Sequence, residues 1–210
     1  CALPICVFHD HEITYSLVAG EAQGFTGPLL QDYLKVAEGL KAGFSLLGVE
    51  VCLVDRKKTK QRWSGAWDQS TQPYSAVCFA SSSWYEIEAG GKKFVGSAQL
   101  RKEKGFLQHG SILPSFSPET LLTLLGQTVN ERLIRGLQSR VTSLSEIMGG
   151  HPGRETILSA LTSGLSHSMG VEWAPGELTS EEFGLAEKLR TEKYLNPEWN
   201  IHRNMRLFNY

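Results

Sequence analysis

The chain has 210 residues, 41% hydrophobic and 20% charged, which is enough apolar material for a sizeable core and excludes a disordered or fibrous polypeptide. Lysines and arginines number 21 and aspartates and glutamates 22, so the net charge is −1 and there is no global basic field for nucleic acid or an anionic membrane. No apolar run approaches the roughly 20 residues that cross a bilayer, and no cationic start followed by an apolar stretch marks a secretion signal, so a cytoplasmic protein is expected.

Residues 1–6, CALPIC, lack an initial methionine, and codons they permit match the end of a common sequencing adapter. They are expected to be non-native, with the gene truncated there, and Cys1 and Cys6 receive no role. Residues 7–18 predict a strand, a turn rich in His and Asp, and a second strand, ITYSLV. Residues 28–47 predict a helix: Leu30, Tyr33, Leu34, Ala37, Leu40, Phe44 and Leu47 recur at three- and four-residue steps, with Pro28 in the first turn and Gly48 at the end. Residues 49–54 predict a short strand that buries Cys52 as a small apolar residue. Residues 55–74, basic and then rich in Ser, Gln and Gly, predict a loop.

Residues 84–88 and 93–100 predict strands joined through Gly90-Gly91, whose tolerance of positive φ suits a tight hairpin. Residues 106–113 add a third strand of an antiparallel meander. From Ser117 the pattern turns helical. SPETLLTLL carries a serine cap and a proline at the first helical position, residues 142–148 suit a short helix, and 154–169 are amphipathic. Thr179 and Glu182 have capping-box spacing. Strands first and helices later predict an α+β fold, with a mixed or antiparallel sheet flanked by helices.

The four cysteines form no C-x-x-C pair and suit neither a zinc site nor a disulfide framework. His9-Asp10-His11-Glu12 has ligand chemistry, but adjacent side chains in a strand or tight turn diverge, so no metal is expected. No phosphate-cradling or dinucleotide-binding loop is present. Cys78 and Lys93 are, one by one, an ordinary thiol and an ordinary strand lysine. The hairpin can fold Lys93 back towards the residues before its first strand, where an ammonium favours the thiolate and makes a nucleophile suited to a thioester. Gly96, Ser97 and Ala98 would let a slim ligand or another backbone approach. His9 and His109 are candidate bases or hydrogen-bonding residues. The basic run DRKKTKQR, residues 55–62, would suit an acidic partner domain.

The segment CFASSSWYEIEAGGKKFVGSAQLRKEKGFLQHGSIL resembles the central part of the lipoate–protein ligase and octanoyltransferase superfamily. VFHDHEITYS resembles its earlier strand–turn–strand motif, and EKYLNPEWN its C-terminal tail. The resemblance implies a biotin/lipoyl ligase catalytic domain, class II synthetase-like, over residues 7–203, missing its N-terminal part and followed by a tail, 204–210. Cys78, fifteen positions before Lys93, and Glu12-Ile13 in place of the Gly-Asn common in ligases, resemble the LipM-type octanoyltransferase branch. That branch implies octanoyl transfer from acyl carrier protein through a Cys78 thioester to a lysine of a lipoyl domain, on the glycine cleavage H protein or a 2-oxoacid dehydrogenase subunit. Cys78 and Lys93 would be catalytic, with His9, Gly96, Ser97, Ala98, His109 and Gly110 against the substrate, and neither cofactor nor metal is implied. The alternatives are an ATP-dependent lipoate ligase, with ATP and Mg, and a lipoyl-domain-binding protein without chemistry.

Overall fold

The computed structural model describes residues 11–54, 87–102, 105–202 and 204. They group into two compact units, Cys1–Glu172 and Trp173–Tyr210. The first unit holds a five-stranded sheet with order β1-β5-β4-β3-β2, every neighbouring pair antiparallel. The strands are β1 (Ile13–Gly20), β2 (Cys52–Leu53), β3 (Ile87–Ala89), β4 (Lys92–Lys102) and β5 (Gly105–Ile112). The expected meander is β3-β4-β5, with β1 added beside β5 and β2 beside β3. At the hairpin, Gly90 and Gly91 have φ of 56° and 78°, the pair of positive angles that a two-residue turn between twisted strands requires.

Two helices, α1 (Leu29–Leu46) and α5 (Arg154–Met169), cover one face of this sheet. Leu40 and Phe44 of α1 and Ile157 and Leu161 of α5 pack with Ile13, Ile87, Val95 and Ile112. Pro28 sits just outside α1 as its N-cap, and Gly48, at φ 74°, follows its end. The buried stripe of α1 runs through Tyr33, Val36, Ala37, Leu40 and Phe44, whereas Leu30, placed on that face from sequence, is exposed. The helices cross at glycines. A Cβ on Gly43 would lie 2.7 Å from Leu161 Cα and 2.9 Å from the Ala160 carbonyl oxygen, and one on Gly164 would run into the backbone of Gly39 and Gly43.

The ladder between β3 and β4 contains a bulge. Ile87 pairs with Val95 but Glu88 pairs with Lys93, which leaves Phe94 as the extra residue. Phe94 and Val95 therefore both enter the helix-side core, where Phe94 meets Phe44 edge-on at 4.9 Å between ring centroids. Cys52 corrects the sequence expectation. Alternation along the strand buries Val51 and turns Cys52 to the other face, where it is exposed and its thiol donates to the Glu88 carbonyl at 3.6 Å.

A polar chain runs through the helix-side core. The Tyr15 hydroxyl donates to Ser97 Oγ at 2.7 Å, Gln108 Nε2 donates to Tyr15 at 3.2 Å, and Gln99 Nε2 donates to Gln108 Oε1 at 3.1 Å. Arg101 pairs with the buried Asp32 and donates through Nη1 to the Gly27 carbonyl at 2.8 Å. Burial raises the Tyr15 phenol above its ordinary value, and the bonds to Ser97 and Gln108 lower it only in part.

After the sheet, α2 (Pro118–Leu124) and α3 (Glu131–Gln138) share a small core of their own around Leu122 and Leu137. The Ser117 hydroxyl caps α2 by accepting from the Thr120 amide at 3.2 Å. No helix over α3 is expected from sequence; Asn130 caps it, its Oδ1 accepting from the Leu133 amide at 3.0 Å. The short α4 (Leu144–Met148) follows. In the second unit, Thr179 and Glu182 form the expected capping box at the start of α6 (Ser180–Leu189), and a π turn (Arg190–Tyr194) leads to α7 (Pro197–Asn200).

Gly43→Val is expected to cost at least about 2 kcal/mol of stability in urea denaturation, because the added atoms meet helix backbone. Gly150→Ala, with nothing within 4 Å of the new Cβ, should leave the midpoint unchanged or slightly raised. For Tyr15 the folded pKa is the raised one, so its contribution is complete below the unfolded tyrosine value of about 10 and fades as pH climbs from there. Wild-type stability should accordingly fall more steeply than that of Tyr15→Phe across roughly pH 9–11 in the same measurement.

Candidate active site

Residues paired directly across antiparallel strands project to the same face. The register therefore sorts the sequence candidates between the two faces of the sheet. On the face away from α1 and α5, successive cross-strand rows are Glu88 with Lys93; Thr14, Ser111 and Gly96; Ser16, His109 and Ala98; and Val18, Leu107 and Leu100. The rows grade from charge through hydroxyl groups to apolar side chains.

Lys93 sits at the charged end. It is 5% exposed and Glu88 is 2% exposed, so a cation and an anion are buried at directly opposed positions of the ladder. Its backbone is held on both edges. Beyond the Glu88 pairing, its amide donates to the Arg140 carbonyl at 2.8 Å and its carbonyl accepts from the Thr142 amide at 2.9 Å, making a parallel bridge to Val141. With β3 on one side and residues 140–142 on the other, the strand position of the ammonium-bearing side chain is fixed before any ligand arrives.

Glu12 lies just before β1 and reaches the second row. Its Oε1 accepts from Thr14 Oγ1 at 2.8 Å, and its Oε2 accepts from the hydroxyl of Ser111. His11, immediately before it, has φ 46°, a left-handed backbone that few residues other than glycine adopt. His109 and Ala98 share the third row and are exposed. In the fourth, Val18 is 79% and Leu100 60% exposed, an apolar patch on the sheet surface.

The structure thus brings Lys93, Gly96, Ala98 and His109 to one face. Ser97 and Gly110, expected beside them, are turned to the helices by the same alternation. Ser97 is bonded to Tyr15, and a Cβ on Gly110 would stand 2.6 Å from both Ser97 Oγ and a Tyr15 ring carbon, so Gly110 serves close packing of the core. Cys78, His9 and the basic run 55–62 lie outside the described residues. Among the described residues no group of three His, Cys, Asp or Glu side chains is placed to hold a metal ion, and no helix is long and apolar enough to cross a membrane.

Glu88 and Ser111 join this face without having been singled out, and so does Glu12, which the sequence names only in the rejected metal cluster and as a mark of the transferase branch. Alternation alone could have placed Glu88 on the Lys93 side of the hairpin. The contact between Glu12 and Ser111 depends on β1 pairing with β5, which no local pattern reveals.

The profile of the "Lipoyl protein ligase A/B catalytic domain" family matches residues 6–166. Octanoyltransferase LipM of Kyrpidia tusciae is 39% identical over 202 residues, covering 94% of this chain and 71% of that protein. Octanoyltransferase LipM of Bacillus subtilis is 30% identical over 201 residues, covering 94% and 70%. Among solved structures, lipoate-protein ligase A bound with ATP superposes with a TM-score of 0.64 at 18% identity, over 90% of this chain and 65% of that one. A lipoate protein ligase from T. acidophilum with bound lipoic acid gives 0.64 and 18%, over 91% and 65%. The chain spans just under two thirds of the length of these ligases, and at such identities the likeness speaks to the fold. The profile match over most of the chain and the identity to the LipM proteins place this chain in the lipoyl protein ligase A/B catalytic domain family.

Proposed function

We infer that this chain is the catalytic part of an octanoyltransferase of protein lipoylation. The observation that carries the reading is the alignment with octanoyltransferase LipM proteins at 30–39% identity across 94% of the chain. The buried, backbone-clamped Lys93, on a face that grades from charged to apolar, supports it, because an acyl thioester presents a polar carbonyl at one end and a hydrocarbon chain at the other.

The chemistry proceeds in two displacements. The Cys78 thiolate attacks the carbonyl carbon of octanoyl-acyl carrier protein; the new C–S bond forms, the old one breaks, and the carrier's thiol leaves. The ε-amine of a lysine on a lipoyl domain then attacks the enzyme thioester and gives the amide. Lys93 favours the thiolate by its charge and stabilises the negative oxygen that develops on the carbonyl in each step. A thioester is already activated, so this route draws on neither ATP nor a metal ion. The natural acceptors are the glycine cleavage H protein and 2-oxoacid dehydrogenase subunits; one of the structural neighbours was solved as a bipartite lipoate ligase and its E2 lipoyl domain.

Incubation with octanoyl-acyl carrier protein should add one octanoyl group, located by mass spectrometry on Cys78 and missing in Cys78→Ser. Acceptor modification that requires free acid and ATP would instead assign the ligase reaction. Lys93→Ala should slow acylation about 100-fold or more, the scale for losing one stabilising group at a developing oxyanion. The same variant should slow alkylation of Cys78 near neutral pH, and an unchanged alkylation rate would remove Lys93 from thiol activation.

A further inference from the structure

We propose that the row formed by Val18, Leu107 and Leu100 receives the terminal methylene groups of the octanoyl chain and so sets the acyl length the protein prefers. The inference rests on the octanoyltransferase reading and deepens it by naming the residues that select the substrate.

Strand order and register assemble the row. Val18 pairs with Leu107 and Leu107 with Leu100, so residues from three strands line up across the face away from α1 and α5. Each is the one large apolar residue among the outward positions of its strand. On β1 the other outward residues are Thr14, Ser16 and Gly20, and on β5 they are Gly105, His109 and Ser111. On β4, from Gly96 onward, they are Gly96, Ala98 and Lys102. Core packing does not account for the row. Leu17 and Ala19, which flank Val18 in sequence and turn to the helices, are buried, whereas Val18 is 79% and Leu100 60% exposed and Leu107 is half-buried. An exposed apolar patch rimmed by polar groups marks a surface that takes a ligand.

The residues on either side say which ligand fits. Towards Lys93 lie the row of His109 with Ala98 and the row of Ser111 with Gly96; in the other direction lie Gly20, Gly105 and the exposed Lys102. An acyl group has the same order, a polar carbonyl and then hydrocarbon. Its length agrees as well. Along β4, Leu100 stands four residues beyond Gly96, about 14 Å at strand spacing. An extended chain of eight carbons, joined by bonds of about 1.5 Å, spans about 9 Å. A tail resting on the row therefore places its carbonyl above β4 between Gly96 and Ala98, where the side chains are smallest. A chain two carbons shorter stops before the row. A chain two carbons longer runs on to the position where two glycines and an ammonium replace hydrocarbon.

The test compares acyl lengths on one protein. Transfer to an apo lipoyl domain is measured with hexanoyl-, octanoyl- and decanoyl-acyl carrier protein, for wild type and for a double variant, Val18→Thr with Leu100→Thr. Threonine keeps a strong strand preference at these exposed positions. We expect wild type to favour octanoyl over hexanoyl. The double variant should lose about tenfold of that ratio while its hexanoyl rate holds, since each buried methylene is worth up to about fourfold. Lys102→Met, which carries the apolar surface one row further, should raise decanoyl transfer relative to octanoyl by about tenfold. An unchanged octanoyl-to-hexanoyl ratio in the double variant overturns the proposal. So does an equal fall at all three lengths, which would put a protein partner rather than the acyl tail on the row. Failure of wild-type protein to transfer any of the three overturns the octanoyltransferase reading and this proposal with it.

Discussion

Gly39 and Gly43 on one helix and Gly164 on another let α1 and α5 approach until backbone meets backbone. This contact sets the geometry of the whole first unit. Two helices packed so closely act as a single slab, and the slab covers one face of the sheet with Leu40, Phe44, Ile157 and Leu161. Bulkier residues at the crossing would force the helices apart and open the core beneath them. The helices put the apolar core on one face, and the other face carries charge and hydroxyl groups, with Glu88, Lys93 and Ser111 buried among them.

The bulge at Phe94 divides the labour between the faces. An unbroken ladder would alternate strictly, and Phe94 would leave the core where it packs against Phe44. The extra residue sends Phe94 and Val95 to the same side and so lets Lys93 remain on the other, opposite Glu88. Neither charged group is exposed, so each must be held by its surroundings. Bulges recur beside active sites because they redirect one side chain without dismantling the sheet.

Much of this was legible in the order of residues, for physical reasons that differ by element. The Gly90-Gly91 turn, the Ser117 cap, the Thr179–Glu182 box and the bounds of α5 are local: the forces that make them act within a few residues, and pattern alone finds them. The α3 helix escaped because only Leu133, Ile134 and Leu137 mark its apolar face over eight residues. Cys52 was misplaced because a run of apolar neighbours hides which residue alternation turns outward. Ser97 and Gly110 read as part of a glycine- and serine-rich groove, yet a strand has two faces, and its partners decide which one each residue serves. The register step at Phe94 and the bond between Ser111 and Glu12 are properties of paired strands, invisible in any single segment.

The latch on Lys93 has a further consequence. Residues Arg140 to Thr142, which grip its amide and carbonyl, emerge directly from the end of α3. That helix is seated by Leu137 against Leu122 of α2, in a small core away from the sheet. The pair anchors the segment that holds the Lys93 backbone. A cavity cut at Leu137 would loosen the segment that grips the Lys93 backbone, so a change in that small core would reach Lys93 while every residue on its own face stays the same.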